Sequence, residues 1–435
     1  MSDILAACGR ALWRLPVSRL ALIAVGSAWV VQLLFLALLP APLLENASTD
    51  YRQFYEPVAR NVLAGRGLTL DSGALGLTYP PGIPLLYAAV FAASQLVAAP
   101  EPVSLRILEL LLTAAMVLLV FAIGTLVFGR AAGFAGALIL ATYPIHLWNQ
   151  KQPETTYPFA VPILGAILVI LWWERSGGSR SVLSGAVCGL LLGLSALFRP
   201  FSLLLGLALA AGVFGLFRAL PAGQRLVFAV SLLAANLVTF APWVLHVRTQ
   251  TGLWLPLSNN GPASISDGLV FGGGRSQHGL FETGPAPLRR FLRETAAALP
   301  NLHGTSELVG HVIAEAGRNP AGVAQLAFFK AARSWYGTDS GMWERHILLL
   351  QIPYLVLMIF GMKRAAQDGD PQRTFLWLAL LVLAYFWAVT MVALTILRYM
   401  LPVIALLMVF PGRLLADGLS SPVTKGSHES LLLSR

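Results

Sequence analysis

Residues 48–68 read STDYRQFYEPVARNVLAGRGL, a polar and aromatic stretch directly after the first long apolar segment of the chain. Tyr51, Phe54, Tyr55, Val58 and Val62 recur at helical spacing, and Arg52, Glu56, Arg60 and Asn61 share the other face. The pattern predicts an amphipathic helix lying on a membrane surface, with Gly65 as its natural stop. Asp50 stands at the start of that helix, where a carboxylate often caps backbone N–H groups. A cap and a reactive carboxylate are compatible roles, and position alone leaves both open.

Outward from this stretch the chain is mostly hydrocarbon. Of 435 residues, 57% are hydrophobic and 11% charged, against about a quarter charged in soluble domains. Eleven apolar segments follow one another: 20–39, 83–99, 104–128, 131–148, 155–173, 182–198, 200–217, 226–247, 347–362, 375–395 and 397–415. Most are long enough to cross ~30 Å of hydrocarbon. Arg10, Arg14 and Arg19 precede the first segment, which is expected to be retained as a helix rather than cleaved. If segment 83–99 only dips into or lies on the outer face, Arg130, Arg175, Arg180, Arg218, Arg225, Lys363, Arg364 and Arg373 all fall inside.

The expectation is therefore an all-α polytopic membrane protein with ten spanning helices, one interfacial or re-entrant segment and amphipathic juxtamembrane helices. Residues 1–247 form a transmembrane module whose first outer loop is 40–103. Residues 248–346 form an outer insert, 347–415 the last transmembrane helices and 416–435 an inner tail. Within the insert, FGGGRSQHG (271–279) reads as mobile loop. PLRRFLRETAAAL and PAGVAQLAFFKAARSWYG read as helices, the second an interfacial one carrying Lys330 and Arg333.

The formal charge of +10 is scattered in ones and twos and forms no stripe, which argues against nucleic acid. Cys8 and Cys188 suggest no disulfide, metal site or nucleophile. The informative charges are those on the outer side that orientation does not explain, notably at KQPETTYPF, LFRPF and ILRYMLP. Each has an ordinary reading beside a functional one. Glu154 suits a helix first turn, Arg398 can snorkel to headgroups, and Lys330 can do the same.

Taken in order, DYRQFYEPVARNVLAGRGL, TYPPGIPLLYA, SLRILELLLTA, PETTYPFAV, FRP, APWVLHVRTQTGLWLPLSNNG and LRYMLPV cover roughly residues 20–412. The ordered set resembles the GT-C glycosyltransferases, in particular the branch of bacterial aminoarabinose transferases and protein O-mannosyltransferases. The resemblance implies a sugar donor on a polyprenyl phosphate, reached from the outer leaflet of a bacterial cytoplasmic membrane. It implies two outer-loop carboxylates, matching Asp50 and Glu154. On this reading Asp50 takes the proton of an acceptor hydroxyl, and Glu154 positions hydroxyls of donor or acceptor. The leaving phosphate needs cations, for which Arg398, Arg106, Lys330, Arg52 and Arg199 are the candidates. Tyr51, Tyr55, Tyr79, Tyr157, His246, Arg248 and Tyr399 are expected to line the substrate cavity. Three departures stand out: Tyr51 where relatives often have a second acid, Tyr79 where they have Lys or His, and His246 where they have Arg. Direct displacement would invert the anomeric carbon, and the acceptor could be a lipid, a glycan, a polyol polymer or a protein. No cofactor is expected, although Asp50 and Glu154 are the ligand type a hard divalent cation prefers. Rival readings are a transporter or flippase of a lipid-linked sugar, or a non-catalytic partner in envelope assembly.

Overall fold

The computed structural model describes residues 15–44, 50–270, 284–338 and 341–420. Cys8, Arg10, Arg14, the FGGGRSQHG segment and the tail beyond 420 lie outside the described residues. The helices in chain order are α1 Val17–Leu38, α2 Glu56–Leu63, α3 Gly82–Leu96, α4 Glu101–Phe128, α5 Arg130–Ala141 and α6 Pro144–Asn149. Next come α7 Thr156–Arg175, α8 Ser181–Phe198, α9 Leu205–Leu216 and α10 Ala222–Thr251. The insert holds α11 Gly261–Val270, α12 Ala286–Ala298, α13 Thr305–Arg318 and α14 Pro320–Arg333. The chain closes with α15 Glu344–Gln367, α16 Gln372–Val392, α17 Leu401–Leu407 and α18 Val409–Ser420.

All eleven apolar segments are helical. Among the described residues eight helical stretches, the last running Leu397–Gly418, are long and apolar enough to cross a membrane, and the chain is an integral membrane protein. Helix α3, with 15 residues, rises only ~22 Å at 1.5 Å per residue, short of a crossing. Two other segments are interrupted. Pro144 starts a new helix after α5, and a tight turn at Pro200–Ser202 precedes α9. Proline lacks the N–H that an uninterrupted helix would need there.

Close helix contact is written in glycine. Gly185, Gly189 and Gly193 lie four apart on one face of α8, and a Cβ at Gly189 would sit 2.1 Å from the Leu232 carbonyl of α10. Small residues at this spacing let two membrane helices approach backbone to backbone. Cys188 packs fully buried beside them.

The opening stretch folds as a helix with three differences from expectation. Its first turn, Tyr51–Tyr55, is π-helical, with the Glu56 N–H donating to the Tyr51 carbonyl. Its apolar face is covered by protein: Tyr51, Tyr55 and Val58 pack with Ile83, Tyr87 and Phe91 of α3. Asn61 is buried rather than on the polar face, its amide donating to the Thr69 carbonyl at 2.7 Å. Gly65 ends the helix at φ +74°, as expected.

The insert packs its own small core of Leu269, Leu288, Phe291, Leu292, Leu308 and Leu326. Helix α14 turns its basic residues inward: Lys330 is 1% and Arg333 5% exposed. The two basic residues expected to face headgroups thus face protein, while Phe328 on the same helix stays 71% exposed.

The bundle has two chemically distinct ends. At one, Arg175 donates to the Leu126 carbonyl, Arg130 to Leu15, and Arg413 pairs with Asp417. At the other lie Asp50, Glu154, Arg199 and Arg398.

Candidate active site

Asp50 is already in helical conformation, at φ −61° and ψ −40°, and its side chain caps nothing. Its carboxylate instead accepts a hydrogen bond from the Tyr79 hydroxyl at 2.8 Å. Tyr79 lies in the turn before α3, so the segment carrying the double proline meets the segment after α1. Burial first, then the charge of Asp50 and this bond, hold the Tyr79 hydroxyl well above its ordinary range. It therefore stays protonated and keeps donating. Tyr79, where the resembled family often carries Lys or His, is thus a hydrogen-bond donor to Asp50.

The Tyr79 ring packs 5.1 Å from both Phe54 and Tyr55. Burial dominates at Tyr55 too, and its hydroxyl is pulled down by Arg199 and pushed up by Asp50, Tyr79 and Glu154. Those charges thus share one electrostatic neighbourhood. Arg199 follows α8, held there because Pro200 ends the helix. Its guanidinium stacks 4.3 Å from the Tyr399 ring, and its buried Nη1 has no hydrogen-bond partner. A desolvated guanidinium nitrogen is costly unless something accepts from it. Tyr399 also packs 4.6 Å from Phe201.

Arg398 sits in the tight turn Leu397–Met400 ahead of α17. Its Nη1 donates to Glu154 Oε1 at 3.2 Å, with the two side chains 20% and 10% exposed. The six residues Asp50, Tyr79, Glu154, Arg199, Arg398 and Tyr399 come from five separate parts of the chain. They place two carboxylates and two guanidinium groups among tyrosines at one end of the bundle. Among the described residues no group of three His, Cys, Asp or Glu side chains gathers to hold a metal.

Other candidates are placed elsewhere. The guanidinium of Arg106 is committed to Glu109 and to the carbonyls of Gln150 and Lys151, at 3.1 and 3.0 Å for the carbonyls. It braces the loop that carries Glu154. Lys151 ties that loop to the segment leading to Asp50, its Nζ donating to the Leu43 carbonyl at 2.6 Å. Lys330 donates to the carbonyls of Gly268 and Ala393, both at 2.9 Å, and is unavailable to phosphate. Arg52 is exposed. Tyr157 is buried and donates to the His146 carbonyl at 2.8 Å. His246 and Arg248 are exposed on α10, beside Trp243 and Trp254 respectively. Tyr51 is buried edge-on to Tyr87 at 5.6 Å. Two cavities of about 570 and 590 Å³ open at the basic end, lined among others by Trp172, Arg175 and Glu174; neither touches the acid cluster.

No family model matches the chain, and no curated protein matches it in sequence. Solved structures do. The apo oligosaccharyltransferase of Archaeoglobus fulgidus superposes with a TM-score of 0.55 at 11% identity, over 96% of this chain and 51% of that one. The same organism's oligosaccharyltransferase AglB, in complex with an inhibitory peptide and a dolichol-phosphate, gives 0.56 at 12% identity, over 96% and 54%. A third, tethered to an acceptor peptide containing the NVT sequon, gives 0.55 at 11%, over 91% and 49%. The chain thus has the GT-C fold of oligosaccharyltransferase and spans about half the length of these neighbours. At such identity the likeness extends to the fold alone.

Proposed function

We propose that the chain is a GT-C glycosyltransferase that moves a sugar from a polyprenyl-phosphate donor to an acceptor hydroxyl on the outer face of a bacterial cytoplasmic membrane. The observation that carries this reading is the convergence of Asp50, Glu154, Arg199 and Arg398 at one end of a bundle with this fold. The archaeal neighbours were solved with a dolichol-phosphate and with an acceptor peptide, which supports a lipid-linked donor and a separate acceptor.

The chemistry follows from the groups present. One Asp50 oxygen is held by Tyr79, which fixes the carboxylate plane and leaves the second oxygen to accept an acceptor hydroxyl proton. As that proton moves, the hydroxyl oxygen bonds to the anomeric carbon. The bond from that carbon to the phosphate oxygen breaks, its electron pair leaving with the lipid phosphate. Single displacement inverts the anomeric configuration. The leaving phosphate needs no proton, only cationic donors, and Arg398 with the unpartnered Nη1 of Arg199 supply them. Glu154 orients Arg398 and offers its second oxygen to sugar hydroxyls. A transporter would place its binding groups near the middle of the bundle, whereas Asp50, Glu154, Arg199 and Arg398 gather at one end.

The test is transfer of radiolabelled sugar from polyprenyl-phosphate donors by the purified protein. Asp50→Asn is expected to fold and lose transfer, while Arg398→Gln raises the donor KM by roughly 30-fold, the worth of a hydrogen bond to a charged group. Turnover by Asp50→Asn near that of the parent chain would remove Asp50 from the mechanism.

A further inference from the structure

Helix α16 ends at Val392 and the next helical turn begins at Leu397. Residues 393–396 between them are not helical: Ala393 lies at φ −95°, ψ −174° and Ile396 at φ −139°, ψ 149°. Such a break strands backbone carbonyls that a helix would have satisfied. Buried carbonyls freed in this way need partners from elsewhere in the protein or from water.

The insert supplies them. Lys330 Nζ donates to the Ala393 carbonyl at 2.9 Å and to Gly268 of α11 at the same distance. Arg333 Nη1 donates to the Thr395 carbonyl, and its Nη2 to Glu344 Oε1 at 2.8 Å. The Leu397 N–H donates to the Gly337 carbonyl at 2.8 Å. Backbone contact is equally close, since a Cβ on Gly268 would lie 2.5 Å from the Ala393 carbonyl carbon and oxygen. The next residue along the chain is Arg398, which meets Glu154.

We propose that Lys330 and Arg333 are positioning residues that clamp the 393–396 break and thereby aim Arg398 at the donor phosphate. The proposal deepens the donor reading above and rests on it. The insert then does more than cover the site. It sets the geometry of the phosphate-binding cation through two backbone carbonyls, so movement of α14 changes donor affinity without touching the donor. The clip is indifferent to protonation of Lys330, because an amine and an ammonium each have the two N–H donors that the carbonyls require.

The experiment measures binding of undecaprenyl phosphate to the full chain in detergent, by tryptophan fluorescence, for the parent chain, Lys330→Met, Arg398→Gln and the double variant. Size-exclusion profiles report folding. Lys330→Met is expected to weaken binding about tenfold, and the double variant to bind no worse than Arg398→Gln alone, since coupled groups are not additive. Multiplying losses in the double variant would make Lys330 merely structural and overturn the clamp. Parent-like binding by Lys330→Met would do the same. If the parent chain itself fails to bind, the donor reading falls, and the clamp with it. Should Lys330→Met fail to fold, Arg333→Lys carries the same cycle, keeping a cation but losing the two-pronged grip. Additive losses there overturn the proposal equally.

Discussion

At the level of single residues, Tyr79 shows how a site can depart from its motif and keep its chemistry. In the sequence it reads as the loss of a basic donor before the double proline. In space its hydroxyl takes that place, 2.8 Å from Asp50, with burial keeping it protonated. Removing the hydroxyl leaves the carboxylate free to rotate and strips one hydrogen bond from a charged acceptor, worth about 1.5–3 kcal/mol. Tyr79→Phe is therefore expected to lower kcat about ten- to hundredfold with little change in donor KM, measured in the radiolabelled transfer assay. A pure KM effect would make Tyr79 a binding group instead. Asp50, Glu154 and Arg398 stood out as outer-side charges that orientation does not explain, but their roles came from the resemblance, since a cap, a first-turn acid and a snorkelling arginine read equally well alone. Arg106 and Lys330 were legible as cations but not in role. A guanidinium serves phosphate or backbone carbonyl equally well, and only the fold shows that Arg106 has already met Gln150 and Lys151.

Among the elements, the unexpected features are breaks. Hydropathy sees residues 375–395 and 397–415 as two helices with almost no gap, so nothing in it announces four non-helical residues whose carbonyls need partners. The π turn at Tyr51–Tyr55 is equally silent, because apolar spacing tolerates one wide turn. The helix at Thr305–Arg318 was missed for another reason: two buried residues, Leu308 and Glu315, make too thin an apolar face. The inward turn of α14 has a measurable consequence. Burial first, and the Arg333 charge second, push Lys330 down to about 7, while an unfolded lysine keeps its proton to about 10.4. Between those values the unfolded chain binds more protons than the folded one, so stability rises with pH across that window and is lowest below it. Thermal unfolding in detergent at pH 7 and pH 9.5 should show the parent chain gaining Tm relative to Lys330→Met. Parallel shifts of the two proteins would mean that Lys330 is solvated in solution.

For the whole molecule, the site itself constrains how the chain threads the membrane. Among the described residues eight helical stretches are long and apolar enough to cross, yet Asp50 before α4 and Glu154 after α6 share one end. Helix α4 starts at that end, where Arg106 meets Gln150, and finishes at the basic end, where Leu126 meets Arg175. The chain must return through residues 130–149, whose 20 residues rise ~30 Å despite the break before Pro144. The same reasoning sends it across at residues 200–216, since Arg199 is at the site while Arg225, at the start of α10, donates to the Phe214 carbonyl. We propose ten crossings on this ground, the number that the positive-inside pattern requires, with α3 as the element that does not cross. Reporter fusions separate ten from eight only at chosen positions. After residue 222 both counts put the reporter inside, and after residue 303 both put it outside. After residue 178, between α7 and α8, ten crossings place it inside and eight place it outside. An inside signal there is the expected result, and an outside signal would detach Glu154 from Asp50 and dismantle the proposed site.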